Sequence, residues 1–214
     1  MSNQNVRTGE ELPEIPLKKY LKEINLIDSI ESDLYVQQYT HGYSNLTYLL
    51  KIEEKEYVLR KPPKGAIKRG HDMRREFNVQ SAVSKAFSKV PKMFGFSKDE
   101  GVLGSDFYLM EKMEGIILNF KEAKKRNIAV KDYKTIANSW LDTLVALHKV
   151  DYKAIGLGDL GKPEGYVERQ VANWGKQYVK AKTAEVPAAE IVMNWMHENQ
   201  PKNYDHCLIH NDFK

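Results

Sequence analysis

Apolar residues recur along this chain with two different periods, and the point where one replaces the other divides it. From Pro16, the positions Leu17, Tyr20, Leu21, Ile24 and Ile27 fall at helical spacing. That predicts an amphipathic helix, proline near its N-terminus, packed on the outside of a sheet. Three strand-like runs follow: Leu34 to Thr40, Leu46 to Ile52 and Tyr57 to Lys61, the second and third joined by a charged turn, Glu53-Glu54-Lys55-Glu56. Pro62-Pro63 stop the third run. A helix is predicted from about His71 to Phe87, with Phe77, Val79, Ala82, Val83 and Ala86 as its stripe. Two further strands, Lys92 to Ser97 and Asp106 to Glu111, flank a turn at Asp99-Glu100-Gly101. Beyond Lys112-Met113-Glu114-Gly115 the pattern is helical: Tyr133 to Lys149, Glu164 to about Ala181, and Ala188 to Glu198. Residues 1–13 then read as an unordered polar tail, 14–113 as a strand-rich domain and 114–214 as a helical one.

Composition narrows the class. Of 214 residues, 42% are hydrophobic, ordinary for a chain that buries a core. No run of eighteen apolar residues is present, and the start, Met1-Ser2-Asn3-Gln4-Asn5, lacks the basic-then-apolar layout of a signal peptide. The expectation is a cytoplasmic protein with no membrane partner. The one cysteine, Cys207, makes no internal disulfide, in keeping with a reducing compartment. A formal charge of +4 suits an anionic ligand but is far from the basic stripe of a nucleic-acid binder, so no nucleic-acid partner is expected.

Four stretches carry candidate chemistry. In His41-Gly42-Tyr43-Ser44-Asn45, Gly42 can take positive φ and Ser44 and Asn45 favour tight turns, giving a bent loop whose backbone N–H groups suit a phosphate; a plain β-turn accounts for these residues equally well. Strand alternation puts Val58 and Arg60 on one face and Leu59 and Lys61 on the other. A strand-end cation facing the Ser44 loop would neutralise phosphate charge; the alternative is a solvent-facing edge cation. Glu76, in the first turns of its helix, could pair with Arg60 and orient it, although the helix dipole favours a carboxylate there in any case. Finally, Leu208-Ile209 followed by His210-Asn211-Asp212 reads as a short buried strand delivering a carboxylate to a loop, a pattern too short to be specific alone.

Other patterns are read as structural. Gly156-Leu157-Gly158-Asp159-Leu160-Gly161 matches a dinucleotide fingerprint but lies between helices and is followed by Lys162-Pro163. His206, Cys207 and His210 fall short of four zinc ligands unless His197 joins them. Lys121, Lys124, Lys125 and Arg126 read as a solvated face, with an anionic substrate group or nucleic acid as the lesser alternatives, and Trp140, Trp174 and Trp195 as core residues on helical stripes.

In order along the chain, Gly42-Tyr43-Ser44-Asn45-Leu46-Thr47-Tyr48, Val58-Leu59-Arg60-Lys61-Pro62-Pro63, Arg75-Glu76-Phe77, Phe107-Tyr108-Leu109-Met110-Glu111, Arg169-Gln170-Val171 with Trp174, and His210-Asn211-Asp212-Phe213 resemble the aminoglycoside phosphotransferase family. The likeness is nearest to the branch containing kinase-like domains fused to acyl-CoA dehydrogenases. The resemblance implies an α+β, protein-kinase-like two-lobed fold, with an antiparallel-sheet N-lobe that binds nucleotide and a helical C-lobe. It implies ATP and Mg2+ as cofactors and a small-molecule hydroxyl as acceptor. Ser44 and Asn45 would lie in the phosphate-covering loop, and Arg60 would replace the strand lysine that touches the α/β-phosphates, paired with Glu76. Val58 and Met110 would border adenine, the backbone of Glu111 through Met113 would be the hinge, and Asp212, with His210 in its loop, would be the catalytic carboxylate. The family's metal-binding Asn and Asp would fall beyond Lys214, so the helical lobe reads as incomplete, to be covered by a partner or a missing C-terminal segment. The alternative function is a non-catalytic nucleotide-binding module, a pseudokinase or truncated fragment. Aminoglycosides, choline-like alcohols, amino-alcohols and hydroxyacyl thioesters all remain open as acceptors.

Overall fold

A computed structural model of the chain describes residues 2–4, 6–39, 45–66 and 72–213. Its contacts divide it into two compact units, Met1–Thr143 and Leu144–Lys214. The division falls well beyond the change from strand to helix at residue 113.

The first unit is built on a six-stranded sheet in the order β1-β2-β3-β4-β6-β5. The strands are β1 Ser2–Gln4, β2 Leu34–Gln38, β3 Leu46–Ile52, β4 Lys55–Lys61, β5 Met93–Ser97 and β6 Phe107–Glu111. All neighbours pair antiparallel except β1 and β2. The N-terminal residues differ from the unordered tail expected of them. β1 adds to the sheet edge, Leu12 is buried, and residues 7–10 supply partners that buried polar groups require. The buried Gln38 side chain accepts from the Arg7 amide and donates to Glu10, and the Tyr48 hydroxyl donates to the Glu10 carbonyl. Unpaired, such groups would each cost about 1–3 kcal/mol.

Alternation in β2, β3 and β4 sends Val36, Tyr48, Leu50 and Leu59 to one face, where helix α1 (Glu14–Glu23) covers them with Leu17, Tyr20 and Leu21. Tyr20 meets Phe107 edge to face, ring centres 5.0 Å apart. The β3–β4 turn is only Glu53-Glu54, with Glu53 at φ 54°, so β4 begins two residues before Tyr57. The turn expected at residues 99–101 is instead the first part of a one-turn helix, α3 (Glu100–Leu103). Asp99 accepts from the Gly101 amide at its start, and Gly104 closes it at φ 71°. Four residues are too few to show a period, which is why the sequence reads there as a turn.

Helix α2 (Met73–Val83) begins at Asp72, whose carboxylate accepts from the Arg75 amide, and packs against β5 and β6. Phe77 anchors it, its ring 5.8 Å from Phe96 and 6.5 Å from Tyr108, while the Arg74 guanidinium lies 4.9 Å over Phe96. A short helix not foreseen from the sequence, α4 (Phe120–Lys125), is capped by Asn119 and carries the basic run.

The second unit holds the end of α5 (Val130–His148), the glycine-containing turns of residues 151–161, α6 (Tyr166–Ala181) and α7 (Pro187–Glu198). α6 and α7 pack on each other, yet neither buries a residue. The tryptophans expected in the core are therefore exposed: Trp174 by 63% and Trp195 by 61%, with Trp140 at 39% in the first unit. A helical stripe reports an apolar face; whether that face is covered depends on what else packs there. Leu208-Ile209 is likewise not a buried strand. No strand runs beside it among the described residues, and Ile209 is exposed. Among the described residues, no helix is long and apolar enough to cross a membrane.

Candidate functional site

Register builds the first part of the site. On β4 and β6, Val58 is the Cα partner of Met110, and Arg60 is the partner of Tyr108. Because side chains alternate, these four residues share one face: an apolar pair and, one pleat on, about 7 Å away, a cation beside a phenol. Leu59 and Lys61 take the opposite face. The Lys61 ammonium donates to the Leu103 carbonyl at 2.8 Å, and burial pushes its pKa down. Arg60, not Lys61, is thus the cation on the α2 side.

Phe77 holds the first turns of α2 against β6, which brings its neighbour Glu76 over the same face. The Glu76 Oε2 lies 3.6 Å from Arg60 Nε and accepts from the Tyr108 hydroxyl at 2.9 Å. Its Oε1 accepts from Asn45 Nδ2 at 3.3 Å. Gln80, one helical turn beyond Glu76, donates to the Tyr108 oxygen at 3.3 Å. Burial, with a further contribution from Glu76 against that of Arg60, pushes the Tyr108 phenol up to about 12. The Arg60 Nε is buried and makes no hydrogen bond among the described residues. Tyr108 and Gln80 were missed as site residues in the sequence. The signal for Tyr108 was its place two residues before Met110, and for Gln80 its place four after Glu76. Ser44, assigned to the same loop as Asn45, lies outside the described residues.

The segment after β6 is fixed by charge. The Lys112 ammonium bonds the carboxylates of Glu114 and Glu56, which hold its pKa up and tie this turn to the start of β4. Glu111 is held to Lys92, its amide donating to the Lys92 carbonyl at 2.8 Å and its carboxylate accepting from the Lys92 amide at 3.0 Å. Met113, half exposed, has no backbone hydrogen bond among the described residues and leaves a donor and an acceptor available.

In the second unit, Asn211 sits at φ 64°, and the bend lets the Asp212 amide donate to His210 Nδ1 at 3.3 Å. The His210 ring stands edge to face on Phe213 at 5.5 Å. With Nδ1 accepting, the neutral ring carries its proton on Nε2. His210 therefore shapes the loop that presents the exposed Asp212.

Magnesium fills its octahedral shell largely with water and substrate phosphate oxygens, held by one or two carboxylates. Among the described residues, no three or more His, Cys, Asp or Glu side chains gather where they could hold a metal. Among the described residues, His206, Cys207 and His210 do not gather into such a cluster.

An antiparallel sheet flanked by α1 and α2, with a helix glutamate paired to a strand cation and a helical remainder, is the α+β protein-kinase-like fold. The chain belongs to the phosphotransferase enzyme family (APH), which matches residues 36–214. The solved structure of a Ralstonia eutropha protein named for the aminoglycoside phosphotransferases superposes with a TM-score of 0.76 at 30% identity, over 90% of this chain and 55% of that one. Mouse acyl-CoA dehydrogenase family member 10 is 33% identical over 210 residues, 98% of this chain and 19% of that protein. Rat acyl-CoA dehydrogenase family member 11 is 35% identical over 183 residues, 85% of this chain and 23% of that protein. The chain thus spans about a fifth of the length of these two relatives. At family level the similarity is to small-molecule kinases.

Proposed function

We propose that the chain forms the nucleotide-binding part of an ATP-dependent phosphotransferase acting on a small-molecule hydroxyl. The observation that carries this reading is the paired register of β4 and β6: Val58 and Met110 side by side, then Arg60 beside Tyr108 under the Glu76 carboxylate. Adenine lies against the apolar pair and takes the free backbone groups of Met113. The phosphates then extend one pleat along, toward Arg60, whose guanidinium suits phosphate oxygens. In the transfer, the acceptor hydroxyl oxygen bonds the γ-phosphorus as the bond from that phosphorus to the β-bridging oxygen breaks. ADP leaves, and the hydroxyl proton passes to a carboxylate, the role that the family resemblance gives to Asp212. Magnesium, when bound, would neutralise phosphate charge, and no step is assigned to it.

A second reading, nucleotide binding without turnover, is favoured by one observation: Asp212 has no gathered set of metal-ligating acids around it among the described residues. Hydrogen exchange with and without ATP tests the shared part of both readings. Protection of residues 107–115 and of α2 is expected; an unchanged exchange pattern there, at ATP concentrations that saturate related kinases, refutes the nucleotide site. A phosphotransfer assay over a panel of hydroxyl acceptors separates the two readings.

A further inference from the structure

We infer that Tyr108, oriented by Gln80, is a positioning residue that pins the Glu76 carboxylate and through it sets Arg60 for the phosphates of a nucleoside di- or triphosphate. The inference rests on the nucleotide-binding reading above and adds a part that the strand cation and helix carboxylate do not supply themselves. Both charged side chains are about one third exposed, 34% and 29%, and their nearest atoms are 3.6 Å apart, beyond a hydrogen bond. An ion pair so exposed and so loose holds neither partner in one geometry.

The phenol does what the pair cannot. Among the described residues its 2.9 Å bond is the shortest contact made to the Glu76 carboxylate, and it comes from a side chain with no exposed surface, on a strand inside the sheet. The ring also packs beside Phe77, centroids 6.5 Å apart. Gln80 donates to the phenol oxygen and so occupies it as an acceptor, which turns the hydroxyl proton toward Glu76. Oε2 is held from the sheet while Oε1 is held by Asn45 at the entry to β3. With both oxygens engaged, the carboxylate is a fixed stop beside Arg60 rather than a mobile counter-ion. Tyr108 need never touch the nucleotide.

Isothermal titration with ATP, ADP and adenosine tests this on the full chain and on Tyr108→Phe, Gln80→Leu, Glu76→Gln and the Tyr108→Phe/Glu76→Gln double variant. Tyr108→Phe keeps the ring and its packing, so adenosine affinity should stay within about twofold, while ATP and ADP affinities fall about five- to tenfold. Gln80→Leu should cause a smaller loss with the same selectivity. The double variant should bind ATP no more weakly than Glu76→Gln alone, because Tyr108 acts only through that carboxylate. Unchanged ATP affinity in Tyr108→Phe, equal losses for ATP and adenosine, or additive losses in the double variant would each overturn the inference. Should Tyr108→Phe not fold, Gln80→Leu decides in the same way: a loss confined to phosphate-bearing ligands supports it and no loss overturns it. A wild-type chain that binds neither ATP nor adenosine removes the nucleotide-binding reading itself and this inference with it, an outcome distinct from a wild type that binds and a Tyr108→Phe variant that does not differ.

Discussion

Replacing Arg60 by methionine isolates the cation, because methionine keeps much of the stem that packs on the sheet and removes the charge. A unit charge pair about 4 Å apart is worth about 4 kcal/mol at the effective dielectric of a protein surface and about 1 kcal/mol in water. The Arg60 side chain is one third exposed, so an intermediate value of about 2–3 kcal/mol applies, on the order of a 30- to 150-fold loss of ATP affinity. Adenosine, which carries no phosphate, should bind unchanged. The variant also leaves Glu76 facing phosphate without its counter-charge. Adding Glu76→Gln to Arg60→Met should therefore restore part of the affinity, whereas Glu76→Gln in the wild-type background should reduce it. Titration calorimetry with ATP and adenosine, at low and at high salt, reads all of these quantities. Equal losses for the two ligands would refute the placement of phosphate at Arg60. So would a Glu76→Gln effect of the same sign in both backgrounds, since the argument depends on the carboxylate changing from a support to a repulsive neighbour.

Gly95 on β5 has no room for a side chain. A Cβ there would lie 2.6 Å from the Tyr20 hydroxyl oxygen and 3.0 Å from Ile24 Cδ1, so Gly95→Ala should cost about 1–3 kcal/mol in urea unfolding, and Tyr20→Phe should relieve part of it. The first unit should also weaken in alkali. Burial first of all pushes Tyr20 and Tyr108 up to about 12 and raises Tyr48 further, so above about pH 10 the unfolded chain releases phenolic protons that the folded chain retains. That stability is complete below about pH 10 and declines as pH rises toward 12, by about 1.4 kcal/mol per tyrosine at about pH 11, offset in part as Lys61 loses its buried charge. A urea midpoint that stays level between about pH 8 and 11 would contradict it. In phosphotransfer assays over a panel of hydroxyl acceptors, Asp212→Asn should remove most of any turnover the chain supports, and turnover unchanged by it would show that Asp212 does not take the hydroxyl proton.

The parts legible in the sequence are those that one element decides alone. The five longer strands, α1, α2 and the three long helices follow from periodicity and from the prolines that end β4. The approach of Glu76 to Arg60 is legible because each sits at a definable position on its own element. What went unread depends on a second element. The placement of Arg7 and Glu10 answers the needs of Gln38 and Tyr48, far along the chain. The exposure of Trp174 and Trp195 depends on what covers α6 and α7, and a stripe looks the same covered or bare. The Glu53 turn shortens because pairing of Ile52 with Lys55 outweighs the strain of a positive φ at a glutamate.

Strand order decides the site most directly. Read in sequence, β4 would be expected beside β5, since consecutive strands are commonly neighbours. The sheet instead inserts β6 between them. Had β5 taken that place, Phe94 or Phe96 would flank Arg60, and the Tyr108 hydroxyl would stand a further strand spacing away, about 4.8 Å, out of reach of Glu76. The inserted order also delivers the end of β6, with Glu111 through Met113, to the edge of the apolar pair formed by Val58 and Met110. One topological choice therefore brings three things together, the pair Val58 and Met110, the backbone that follows it and the Tyr108 phenol beside Glu76, which in the proposed reading would wall a base, read it and steady the counter-ion of Arg60. None of the three is visible in any single stretch, because each is a relation between strands 50 or so residues apart, set by the register of a ladder rather than by local pattern.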